Sequence, residues 1–186
     1  MLMTSSDNFI VWGVFVGDKG NQLEIFNSKM GPFPPEPDSE GMIPIGWPAT
    51  GDLTRFQNNY PDYVEKFRVV YPNESEMVLK TQANMLWNFC FTMNIGDWII
   101  SPSSFLGLLL VGIIIGEYKS DFHDETGLYG FKRVDFVHTR KVQWKYIIKK
   151  SDPRYSVLNR IGLLTVSRQN LSPNDLKKIL EGAPAE

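Results

Sequence analysis

Asp97 and the triplet Glu117-Tyr118-Lys119 are the residues of this 186-residue chain whose types and spacing come closest to a catalytic set. Two carboxylates at the ends of a strand hairpin can hold a divalent cation while a nearby lysine orients an attacking water, which is the chemistry of a metal-dependent nuclease. The same residues have a plainer reading. E-x-K triplets are common, Asp97 follows Gly96 in a turn that its own carboxylate can cap, and the helices that should flank such a hairpin come in the wrong order. His123 with Asp121, Asp124 and Glu125 either binds a cation loosely or forms an exposed acidic loop. There is no phosphate-binding GxxxxGK[ST], no paired-glycine dinucleotide fingerprint, no HExxH and no GxSxG. The expectation is a protein that is not an enzyme and carries neither metal nor cofactor, with cleavage by Asp97, Glu117 and Lys119 kept as the alternative.

Recognition chemistry has more to work with. Trp12, Trp47, Trp87, Trp98 and Trp144 all fall on or beside predicted elements of one core. For Trp98 and Trp144 a core role suffices. Trp47 follows Ile45-Gly46 at a strand end and precedes Pro48, a place from which a side chain can line a cavity mouth. An aromatic wall stacks on a planar base while neighbouring polar groups read its edge.

Charge points the same way. The formal net charge of −2 conceals an asymmetry: residues 1–131 hold 7 Lys/Arg against 16 Asp/Glu (−9), and residues 132–160 hold 9 against 2 (+7). A basic block in an acidic chain reads either as a local anion-binding face or as a strand edge guarded by lysines. On the first reading Lys141, Lys145, Lys149 and Lys150 contact phosphates and make binding salt-dependent.

The elements that must position these residues are organised around 96–118. Trp98–Ile100 and Phe105–Ile115 are apolar, separated by a polar break at Ser101–Ser104. The second run is too short to span a membrane. Its β-branched residues and glycines disfavour helix, and apolar residues at both parities predict a strand covered on both faces. Before it, Phe9–Val16 and Met42–Trp47 read as strands, separated by a loop at 30–41 with four prolines. Two helices follow, one entered at Pro61 and one capped by Asn73 with Glu76, whose inner face takes Val78, Leu86, Phe89, Cys90 and Met93. Phe136–Ile147 reads as a strand that turns Phe136, His138, Arg140, Val142, Trp144 and Tyr146 inward. A short helix at 154–162, a strand at 163–166 and a terminal helix entered at Ser172 complete the chain.

Length and composition fit one globular domain. The single cysteine, Cys90, excludes an internal disulfide and lies in an apolar helical pattern, as a buried thiol would. No secretion signal is evident, and a reducing cytoplasm is the simplest compartment. Strand, strand, two helices, then several strands predicts an α+β fold, a curved or closed mixed sheet flanked by helices.

The succession VWGV (11–14), IGW (45–47), GDL (51–53), Q-A-x-x-L-W-x-F (82–89), M-N-I-G-D-W-I-I-S-P (93–102), V-G-I-I-I-G-E-Y (111–118) and H-T-R-K-V-Q-W (138–144) resembles the PUA-like N-terminal domain of Mrr-type restriction system proteins, which is related to the EVE and YTH modules. The resemblance implies a PUA-like domain over 1–171, a small β-barrel flanked by helices, followed by a C-terminal helix or tail, 172–186, that could serve as a linker. It implies recognition of a modified nucleobase flipped into an aromatic-lined pocket. By position, Trp12, Trp47, Asp52, Trp87, Tyr118, His138 and Arg140 match the family's recurrent residues. In that setting Trp47 would stack on the base, Asp52 would read an amino edge, and His138 and Arg140 would lie near the mouth. The implied partners are nucleic acid, modified DNA before RNA, and a separate effector nuclease or NTPase in anti-phage defence, with no membrane. A small-nucleotide or protein-interaction domain on the same barrel is a further alternative. The loops at 31–41 and 119–130 are longer than the pattern and would reshape the pocket.

Overall fold

The apolar run that dominates the sequence becomes the middle of a curled sheet. A computed structural model describes residues 9–17, 20, 23, 33–120, 137–159 and 164–182. Strands β1 (Val11–Val14), β2 (Glu40–Ile45), β3 (Trp98–Ser103), β4 (Leu108–Ile114), β6 (His138–Lys149) and β7 (Val166–Arg168) run in the spatial order β2-β6-β4-β3-β1-β7. Short β5 (Lys119–Ser120) pairs separately with the start of β6. Among the described residues β1 and β3 pair in parallel and the other pairings are antiparallel. The sheet forms a half-barrel flanked by helices, a mixed α+β architecture.

Each face of the sheet has its own core. On one side, Trp12, Ile43, Leu110 and Trp144 pack against Tyr63 and Phe67 of α1 (Tyr60–Val70) and Leu79 and Leu86 of α2 (Glu76–Trp87). On the other side, Trp98, Ile100, Leu109 and Val111 meet Leu158 of α3 (Pro153–Leu158) and Leu176 and Leu180 of α4 (Pro173–Leu180). Strand β4 therefore needs apolar residues at both parities, as its sequence supplies. The terminal helix, expected as a helix or tail that could serve as a linker, is anchored by Leu176, which is fully buried, and by a bond of 2.7 Å from Arg154 Nη1 to the Leu180 carbonyl. Among the described residues no helix is long and apolar enough to cross a membrane.

Local chemistry sets the boundaries, and three differ from expectation. Helix α2 is capped by Ser75, whose Oγ accepts from the Val78 N–H at 3.4 Å, rather than by Asn73. Its inner face takes Leu79 and Ala83, which are buried, while Val78 is only half-buried. The expected polar break at Ser101–Ser104 is mostly strand: β3 continues through Ser103 because the Ser101 hydroxyl is satisfied by donating to the Val14 carbonyl at 2.8 Å. Finally, β6 carries a bulge. Gly112 pairs with Trp144 and Val111 with Tyr146, so Lys145 has no partner on β4 and the inward parity changes beyond it. Tyr146, expected on the face of Trp144, packs on the opposite core.

A candidate aromatic site

The chain leaves β2 at Ile45 and turns sharply. Trp47 adopts φ 67° and ψ 50°, a left-handed conformation that a bulky residue holds only when its surroundings enforce it. The enforcement is visible. Thr50, in the 3-10 turn Pro48–Thr50, sends its backbone N–H (3.1 Å) and its hydroxyl (2.7 Å) to the Trp47 carbonyl. The indole Nε1 donates to Oε1 of Gln82 on α2 at 3.0 Å.

Behind this turn lies His138, the first residue of β6, with no exposed surface. Its Nε2 is 3.0 Å from the Thr50 hydroxyl and its Nδ1 is 2.9 Å from the Tyr118 hydroxyl. Because Thr50 gives its one hydroxyl hydrogen to Trp47, its oxygen must accept here, so Nε2 carries the imidazole proton. Nδ1 then accepts from Tyr118. The result is a one-way chain from Tyr118 through His138 and Thr50 to the Trp47 carbonyl. Burial pushes the His138 pKa down to about 4, opposed by the Trp47 carbonyl and the charge of Asp52, so the ring is neutral at pH 7. Burial likewise raises the Tyr118 phenol, which stays protonated.

Tyr118 stacks on the His138 ring, 5.8 Å between centroids and 30° between planes. Beyond it Phe91 lies at 6.0 Å, Trp87 4.6 Å past Phe91, and Tyr60 4.9 Å past Trp87. Trp47, Tyr60, Trp87, Phe91 and Tyr118 are all half-buried, so the core shared with α1 and α2 reaches the surface here as an aromatic wall. Asp52 is exposed near it, and its carboxylate accepts from the Thr54 N–H at 2.9 Å and from the Thr54 hydroxyl.

Of the seven expected base-site residues, Trp47, Trp87, Tyr118 and His138 come together and Asp52 lies close enough to act on His138 and Tyr118 electrostatically. Trp12, His138 and Arg140 do not belong to the exposed surface, so neither His138 nor Arg140 stands at a mouth as expected. Trp12 is 1% exposed in the core, donating to Asp97 Oδ2 at 2.8 Å, and Arg140 is 3% exposed with its guanidinium on backbone carbonyls. Tyr60, Phe91, Gln82 and Thr50 were not expected. Phe91 had a signal, since it stands four residues after Trp87 on a helical face.

The lysines are scattered. Lys141 is 3.8 Å from Glu40 and Lys145 pairs with Asp38. Lys149 and Lys150 lie at the opposite end of β6, beside the β3–β4 turn, about 36 Å of strand from His138 at ~3.3 Å per residue. The bulge also puts Lys149 on the face opposite Lys141. The four lysines expected to contact phosphates are thus spread along β6 and over two faces. The exposed cations nearest the wall in sequence are Lys119, beside Tyr118, and Arg55, whose guanidinium lies 4.7 Å from the Phe56 ring centroid.

Asp97 is equally committed. Its carboxylate, 1% exposed, accepts from Ile10 N at 2.9 Å, Trp12 Nε1 at 2.8 Å and Asn94 N at 3.0 Å, while Glu117 is exposed. Among the described residues no group of three or more His, Cys, Asp or Glu side chains is placed to hold a metal ion. His123, Asp121, Asp124 and Glu125 lie outside the described residues.

Residues 31–168 match the family described as a domain of unknown function, DUF8426. The chain belongs to that family. No curated protein and no solved structure matches it. The DUF8426 span contains every member of the aromatic wall together with Gln82, Thr50 and His138, and leaves β1 and α4 outside.

Proposed function

We propose that the chain is a non-catalytic, PUA-like binding module that takes the planar ring of a nucleobase, a modified base in DNA before RNA, against this aromatic wall. The observation that carries the reading is Trp47. A tryptophan in a left-handed conformation, with its indole nitrogen tied to Gln82 and its carbonyl tied through Thr50 to a buried neutral histidine, is a stiff side chain at the edge of a half-buried aromatic surface. Stiff aromatic surfaces bind rings with little ordering cost. Stacking contributes about 1–3 kcal/mol per base and tolerates any base. Discrimination would come from edge contacts, for which exposed Asp52 offers an acceptor to an amino group. Arg55, Lys119 and Lys141 would meet the phosphates nearest the base. The pairs that Lys141 and Lys145 make with Glu40 and Asp38 involve exposed carboxylates and are weak enough to exchange for phosphate. In a restriction or anti-phage setting, a separate nuclease or NTPase would act on the signal.

Cleavage by Asp97, Glu117 and Lys119 draws no support from the geometry, because the Asp97 carboxylate is buried and already accepts three N–H groups.

The test is a fluorescence titration with modified and unmodified oligonucleotides at several salt concentrations. Trp47→Ala is expected to weaken binding about 5- to 150-fold, the equivalent of 1–3 kcal/mol, and affinity is expected to fall as salt rises. Binding that ignores salt, or a Trp47→Ala protein that binds as the parent does, sinks the proposal. Binding of a free nucleoside but of no oligonucleotide would move the reading to a small-nucleotide sensor on the same wall.

A further inference from the structure

Helix α2 does not end at Trp87 but widens into a π-turn, Asn88–Thr92, closed by the bond from Met93 N to the Asn88 carbonyl at 2.9 Å. The next N–H in line, that of Asn94, goes to the Asp97 carboxylate instead. The carbonyls of Phe89 and Cys90 are therefore left without helical partners, the ordinary position of acceptors at a helix C-terminus. Arg140 of β6 supplies the donors. Its Nε donates to the Phe89 carbonyl at 2.6 Å and its Nη2 to the Cys90 carbonyl at 2.9 Å. A third branch, Nη1, donates to the carbonyl of Gly116 at 3.2 Å, in the segment that leads from β4 into Tyr118. That segment runs against β6 so closely that a Cβ on Gly116 would lie 2.9 Å from the Lys141 Cβ.

One planar cation thus joins two pieces of backbone, which meet again where Tyr118 hydrogen-bonds Cys90. One piece presents Phe91 and, a turn earlier, Trp87. The other presents Tyr118. Phe91 and Tyr118 approach to 6.0 Å, which joins the two parts of the wall, and the Arg140 fork holds the backbone on both sides of that junction. We propose that Arg140 is the positioning residue of the aromatic wall: by holding the carbonyls of Phe89, Cys90 and Gly116 in one fork it sets the approach of Phe91 to Tyr118, and thereby the affinity of the wall for a planar ring. The inference rests on the wall being the ring-binding surface, while the clamp itself is measurable without any ligand. An ammonium cannot reproduce it, because a guanidinium offers fixed, coplanar donors and a lysine one tetrahedral centre.

The experiment pairs Arg140→Lys with Gly116→Ala, each compared with the parent protein. Nuclear Overhauser contacts between the Phe91 and Tyr118 rings are read without ligand, and oligonucleotide affinity is read as a function of salt. Both variants are expected to melt cooperatively, to lose the Phe91–Tyr118 contact, and to bind at least tenfold more weakly with an unchanged salt slope. Should Arg140→Lys not fold, Gly116→Ala alone carries the same expectation, since it pushes the Gly116 carbonyl away from the guanidinium without removing the charge. An intact ring contact in a folded variant overturns the clamp. A salt slope reduced by about one with the ring contact intact also overturns it, because Arg140 would then be touching a phosphate directly. If the parent binds no oligonucleotide while the variants lose the ring contact, the clamp stands and the ring-binding reading falls.

Discussion

A histidine that donates from Nε2 to Thr50 and accepts at Nδ1 from Tyr118 loses its acceptor on protonation, and at His138 it would do so with no exposed surface. Its pKa near 4 in the folded protein lies below the ordinary value of 6.5. Between those two values the unfolded chain binds the extra proton and the folded one does not, so stability is fully present above pH 6.5 and is lost as pH falls towards 4. The span corresponds to about 3 kcal/mol. Urea unfolding of the parent and of His138→Gln across pH 7 to 4 measures it, and the variant is expected to show a flatter dependence by roughly that amount. Equal slopes would mean that the imidazole is not held neutral. At this scale the sequence was informative about residue types but not about depth. Trp47, Trp87 and Tyr118 are half-buried in the aromatic wall, whereas His138, expected near the mouth, has no exposed surface, and Trp12 and Arg140 belong to the interior. A tryptophan has the same letter whether its N–H meets Asp97 or a ligand, and an arginine the same letter whether its fork meets carbonyls or phosphates.

Elements were legible where periodicity is simple and not where it breaks. The parity of β6 holds from His138 to Trp144 and fails at Lys145, because two residues there oppose one step of β4. That bulge decides which lysines share a face, and no local signal in Lys141–Lys150 announces it. The signal is on the partner strand. A Cβ on Gly112 would fall 2.7 Å from the Gln143 carbonyl oxygen and from Val142 Cγ2, and 3.0 Å from the Trp144 ring. Backbone and a fully buried tryptophan cannot step aside, so Gly112→Ala should destabilise by about 1–3 kcal/mol, the usual range for an overpacked core. Chemical denaturation at pH 7 reads this directly. A variant as stable as the parent would show that the bulge accommodates a methyl group and that the register of β6 is softer than its hydrogen bonding indicates. The start of α2 makes the same point on a helix: Asn73 and Glu76 have the spacing of a cap, yet Ser75 makes the bond, and Leu79 is buried where Val78 is only half-buried.

At the scale of the whole molecule, the family span and the folding unit do not coincide. Residues 31–168 omit β1, but β1 lies inside the sheet, parallel to β3 on one side and antiparallel to β7 on the other. Val11, Trp12 and Val14 are at most 1% exposed, and between them they contribute to both cores. Removing the strand opens the β3 edge, leaves β7 without its strand partner, and strips the buried Asp97 carboxylate of the Ile10 and Trp12 donors, leaving it with the Asn94 N–H. A buried charge that loses its donors is among the most destabilising of single changes. A fragment of 31–168 is therefore expected not to fold, giving a collapsed amide spectrum by heteronuclear NMR. A fragment of 1–168 keeps β1 and loses only α4, with its buried Leu176 and Leu180, and is expected to fold with a lowered melting temperature. The order of the two fragments is what the topology demands, because α4 covers one face whereas β1 completes the sheet that carries Asp97, the helix end and the wall beyond it. Dispersed amide signals from 31–168 would show instead that the core shared with α1 and α2 and the aromatic wall are stable without the strand that the sheet is built around.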